Sequence, residues 1–87
     1  MKIKKGFVVR SVGGENIVVP VGEMSKNFHG MINLNETGEF LWNFFSKEHT
    51  VEDAVNAVLA EYDVSKEIAQ KDVEAFVNII IQNGFAE

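Results

Sequence analysis

No cysteine occurs in this chain, so disulfide staples, thiolate metal sites and cysteine nucleophiles are all excluded. Histidine is scarce: His29 and His49 are far apart in sequence and surrounded only by scattered carboxylates. A structural or catalytic zinc site needs roughly three or four suitably spaced ligands, so both histidines read as incidental. The single proline, Pro20, lacks a backbone donor and so belongs at a sheet edge or a strand end. No stretch approaches the roughly 20 apolar residues of a membrane helix. The basic start, Met1 to Arg10, has only Phe7-Val8-Val9 as its apolar run, far short of a signal-peptide core, and the expected address is the cytoplasm. No serine lies in a nucleophile-elbow context, and no glycine-rich phosphate loop precedes a helix. Glu36 with Glu39, and Glu52 with Asp53, are paired carboxylates, but each pair falls in an expected first helical turn, where acids complement the helix dipole. The residues therefore point to a protein that is not an enzyme and carries no cofactor.

What is present suits one folded domain spanning residues 1–87. Apolar residues make up 46% of the chain and charged ones 24%, a balance that separates it from disordered sequences. Its length lies near the small end of what one core supports without staples. The charge is lopsided. Residues 1–34 hold five cations against two acids, net +3, whereas residues 35–87 hold three lysines against eleven acids, net −8. Such asymmetry arises either from a solvated acidic helical face or from a partner of matching sign.

Hydrophobic spacing divides the chain into strands and then helices. Lys5 to Val12 alternates loosely and reads as a first strand; Gly13-Gly14 before Glu15-Asn16 is a hairpin signal; Ile17 to Val21 reads as a second strand. Val21 to Asn27 is a polar connection, and Phe28 to Leu34 is a third strand. Three helices are expected after it. The first runs from Glu36 to Lys47 with a wide apolar face that includes Trp42 and Phe44 as packing residues. Thr50-Val51-Glu52-Asp53 matches a capping box and opens the second, which repeats Val51, Ala54, Val55, Val58, Leu59 and Tyr62 at helical spacing. Ser65 caps the third, Lys66 to Asn83, with Gly84 as its left-handed terminator. Its main stripe is Ala69, Val73, Phe76, Val77 and Ile80. Ile68, Asp72, Ala75 and Ile79 share an adjacent face, which is either a second buried side or an exposed apolar flank.

The segment Phe28 to Trp42, FHGMINLNETGEFLW, is the most informative. Phe28, Ile32 and Leu34 fall on one side of a period-2 repeat, with Gly30 in the middle of that side. Glycine inside a strand marks a bulge or the close approach of another backbone. No proline or lysine interrupts Phe28 to Leu34, the residues that normally block an edge against pairing. Asn35 then offers its side-chain oxygen to the backbone N–H of Thr37 or Gly38 and starts the first helix. An open strand joined directly to a core helix suits peptide capture by strand addition better than catalysis.

The same segment carries a family resemblance. Gly30-Met31-Ile32, Leu34-Asn35-Glu36-Thr37-Gly38 and Leu41-Trp42, followed by Tyr62-Asp63-Val64-Ser65 and Asp72-Val73 with Phe76, resemble the PqqD-like family. These are small recognition elements for the precursors of ribosomally made, modified peptides. The Phe7-Val8-Val9-Arg10 strand and the GGEN turn fit as well. The resemblance implies an α+β, winged-helix-like fold: a three-stranded antiparallel meander followed by three helices. It implies a noncatalytic adaptor that binds a leader peptide antiparallel to the third strand, in the groove beside the third helix. The partner it implies is a radical S-adenosylmethionine enzyme, in a pathway to pyrroloquinoline quinone or another modified peptide. Carried onto this chain, the peptide-binding residues are Phe28, His29, Gly30, Met31, Ile32 and Asn33 on the strand, with Ile68, Asp72, Ala75, Phe76 and Ile79 on the helix. A winged-helix DNA-binding regulator is the alternative. Against it, the third helix pairs Lys66 and Lys71 with Glu67, Asp72 and Glu74, so it opposes the phosphate neutralisation on which DNA affinity depends. Neither nucleic acid nor a membrane is an expected partner.

Overall fold

Two consecutive glycines make the first turn of the chain. In the computed structural model, which describes residues 1–26 and 32–87, Gly13 and Gly14 have φ of 58° and 83°. Positive φ at both central residues defines the two-residue hairpin whose twist matches that of its strands. It joins β1 (Phe7–Val12) to β2 (Glu15–Pro20), with Val12 opposite Glu15 and Phe7 opposite Pro20. The second strand thus starts two residues earlier than the expected Ile17, because the two glycines complete the turn alone. Pro20 sits at the strand end, as its missing N–H demands. A 3₁₀ segment, Gly22–Lys26, occupies part of what reads from sequence as an irregular connection. The third strand, β3 (Ile32–Leu34), pairs antiparallel with β2 through Val18 opposite Ile32 and Asn16 opposite Leu34. The expected start of that strand at Phe28 lies outside the described residues. Sheet order is β1–β2–β3, an antiparallel meander that leads into three helices.

Those helices are α1 (Glu36–Phe44), α2 (Val51–Glu61) and α3 (Lys66–Gln82), each with the cap its sequence advertises. The Thr50 hydroxyl accepts from the Asp53 N–H at 3.0 Å, and the Asp53 carboxylate accepts from the Thr50 N–H at 3.2 Å. These contacts lower the Asp53 pKa, the Thr50 backbone first, then its side chain, with His49 contributing less. A depressed folded pKa stabilises the fold above the ordinary carboxylate range, and that contribution is lost as pH falls through the folded value. Thr50→Ala is expected to cost about 1 kcal/mol. Denaturant unfolding at neutral pH measures it, and acidification through the Asp53 titration should narrow the gap between variant and parent. At the other end of α3, Gly84 terminates the helix with φ of 74°.

The core lies between the helices and one face of the sheet. Ala69, Val73, Phe76, Val77 and Ile80 of α3 are buried against Ala54, Val55 and Val58 of α2 and Leu41 and Trp42 of α1. Val18 supplies the most deeply buried side chain of the sheet. Phe45 stacks on Phe76 with ring centroids 6.1 Å apart. Phe44 is only partly buried, and it stacks on His49 at 4.0 Å.

α1 ends at Phe44 rather than at the expected Lys47. The cause is a segment with no obvious sequence signal. The Phe45 carbonyl accepts from the Ile3 N–H at 2.9 Å, so it is committed to the N-terminal residues instead of a further helical turn. Ile3 also bridges Ala86, and Lys4 donates to the Phe85 carbonyl at 2.8 Å. Ile3 and Phe85 are both buried, so the two ends of the chain close the core together. Among the described residues no helix is long and apolar enough to cross a membrane.

Candidate functional site

The junction of β3 and α1 is built by Leu34-Asn35-Glu36-Thr37-Gly38. Asn35 leaves the strand in extended conformation, and its Oδ1 accepts from the Gly38 N–H at 2.7 Å. Satisfying that orphan donor lets the helix start without a loop. Gly38 is buried, and a Cβ there would stand 3.1 Å from Asn35 Oδ1 and 3.4 Å from Leu34 Cδ2. Glycine thus allows the first helical turn to press against the last strand residue. The Asn16 amide donates to the Glu39 carboxylate and ties β2 to the same turn. Strand and helix are held as one unit, which fixes the wall and the floor of what lies beside them.

Beside them is an open groove of about 1100 Å³. β3 forms one wall, α3 the other, and α1 with Tyr62 the floor. Because β3 is last in the sheet order, β2 occupies only one of its edges, and no further strand flanks it among the described residues. The volume lies at the upper end of small-molecule pockets, which run to about 1,000 Å³. Phe40 meets Tyr62 edge to face at 5.5 Å in the floor. The Tyr62 phenol is pushed up in pKa, first by desolvation and then by Glu36, Glu61 and Glu39.

The sequence-predicted site residues divide into three groups. Ile32 and Asn33 on β3, and Asp72, Ala75, Phe76 and Ile79 on α3, all line this groove. Ile79 is 46% exposed, a large apolar side chain that the fold only half covers. Ile68 is 50% exposed on the same helix face but stands beyond the groove lining. The flank is therefore an exposed apolar surface and not a second buried side. Phe76 lines the groove yet is buried, with its ring parallel to that of Phe45. Phe28, His29, Gly30 and Met31 lie outside the described residues. Sequence reasoning missed Leu34, Phe40 and Tyr62 in this role, because their helical or strand spacing marks them only as core. Among the described residues, no group of three His, Asp or Glu side chains is placed to hold a metal ion.

The family model described as coenzyme PQQ synthesis protein D, PqqD, matches residues 15–86, from β2 to the C-terminal tail. The chain belongs to the PqqD family. Two solved structures share the fold of this PqqD-family chain. TbiB1 in complex with the TbiA(beta) leader peptide superposes with a TM-score of 0.73 at 21% identity, over 100% of this chain and 95% of that one. Lasso peptide synthetase B1 complexed with the leader peptide superposes with a TM-score of 0.71 at 20% identity, over 99% of this chain and 95% of that one. No curated protein sequence matches this PqqD-family chain.

Proposed function

We propose that this chain is a noncatalytic adaptor that binds the leader of a ribosomally made precursor peptide and presents it to a modifying enzyme. The observation that carries the reading is the outer edge of β3, unpaired among the described residues, beside a groove lined by Ile32, Leu34, Phe40, Phe76 and Ile79. An extended peptide added to that edge gains main-chain hydrogen bonds from the strand, and the groove supplies side-chain contacts. Both proteins of like fold named above are held in complexes with leader peptides, which supports the same use of this fold. Ile32 and Asn33 would form the ladder; Asp72, Ala75, Phe76 and Ile79 would contact alternate leader side chains. The modifying partner proposed is a radical S-adenosylmethionine enzyme, from the family resemblance. Duplex DNA fits poorly with a net charge of −5 and an acidic third helix.

Amide chemical-shift mapping with a precursor leader tests the reading. The largest perturbations are expected at 32–34 and 72–79. Perturbations confined to other faces would overturn the groove assignment, and a steep salt-dependent titration with duplex DNA would favour a regulator instead.

A further inference from the structure

The groove lining combines apolar side chains with charges of one sign. Glu15 on β2, Glu36 and Glu39 on α1, and Asp72 on α3 all line it, and no Lys, Arg or His does so among the described residues. Helix-dipole complementarity accounts for Glu36 and Glu39 in the first turn of α1. It does not account for Glu15 at a strand start or Asp72 in the body of α3. Among the described residues, none of these acids is in an ion pair. The ion pairs of the described residues join the Met1 amine to Glu48, Lys2 to Glu87 and His49 to Asp53, all away from the groove. Glu39 accepts from the neutral Asn16 amide. Tyr62, within the lining, feels Glu36 and Glu39 directly.

Clefts walled by low-dielectric groups and lined by one sign of charge concentrate the opposite charge and reject their own. We propose that the peptide taken by this groove is cationic, with Lys or Arg two or four positions from an apolar residue that seats against Leu34, Phe40 and Ile79. The inference rests on the peptide-binding reading above and names the chemistry of its ligand. Asp72 and Ile79 share a helix face two turns apart, about 10 Å along the axis. That span equals roughly three residues of extended peptide. Alternate side chains of a strand face the same way, so a long basic side chain two or four positions from the apolar anchor reaches Asp72 from the groove side.

A display library of random twelve-residue peptides, sorted for binding to the intact chain, tests this without knowledge of the natural ligand. Enriched peptides should carry Lys or Arg two or four positions from an aliphatic or aromatic residue and should be depleted of Asp and Glu. The double variant Asp72→Lys, Glu15→Lys changes exposed groups only, so its fold should persist. It should lose about tenfold in affinity for the best basic peptide and gain for that peptide's Lys→Glu counterpart. Enriched peptides with no charge bias that are still displaced by Ile79→Gln would overturn the charge assignment and leave peptide capture standing. Failure to enrich any peptide would overturn peptide capture itself, and this inference with it.

Discussion

Truncating Trp42 to alanine should lower the thermal unfolding midpoint by roughly 12 °C or more, without any ligand present. Trp42 is only 7% exposed, and its ring meets Phe7 at 6.4 Å and Phe85 at 6.0 Å, both edge to face. It therefore joins three parts of the fold: the helical core through α1, the sheet through β1, and the C-terminal tail. Removing a buried tryptophan leaves a cavity that such distant elements cannot close, at a cost of about 3–5 kcal/mol. A domain of this length has roughly 4–13 kcal/mol in total, so the loss is at least about a quarter of its stability. Each kcal/mol moves the midpoint of so small a domain by about 4–8 °C. Calorimetric or circular-dichroism melting measures it. A shift of only a degree or two would place the indole outside the core and among the ligand-contacting residues.

Ile79→Gln should weaken leader binding by about tenfold or more, equivalent to about 1.4 kcal/mol, and leave the melting midpoint within a few degrees of the parent. Ile79 is an exposed apolar side chain on the groove wall, so the free domain loses little when it becomes polar. The complex loses the apolar area that the side chain would bury and must also desolvate an amide. Glutamine keeps the helix and adds no charge, which separates loss of the apolar wall from any change in electrostatics. Isothermal titration of parent and variant with the same leader gives the ratio. An unchanged dissociation constant would remove Ile79 from the site, whereas a collapse of the melting midpoint would show that the side chain supports the fold.

The order of elements was legible in the residues because each carries its own local signal. Gly13-Gly14 is a turn by conformational freedom alone, and Asn35, Thr50 and Ser65 cap their helices with the bonds their types and positions suggest. The spacing of Ala69, Val73, Phe76, Val77 and Ile80 identified the buried stripe of α3, since helical periodicity needs no knowledge of what lies opposite. The same periodicity placed Ile68, Asp72, Ala75 and Ile79 on one adjacent face, but it could not say whether that face was covered. Burial is a property of neighbours, and only the tertiary arrangement left Ile79 half-exposed and assembled a groove from four separate elements. The end of α1 was equally invisible, because its Phe45 carbonyl is captured by Ile3, a contact between distant parts of the chain. Ile3 and Phe85 had no helical or hairpin neighbours to advertise them, and their burial follows from the chain ends meeting over the core. The residues thus determined the local elements and the sign of the chain's charge. The tertiary structure decided which acids share the groove and which apolar side chains stay exposed, because both depend on contacts between residues far apart in sequence.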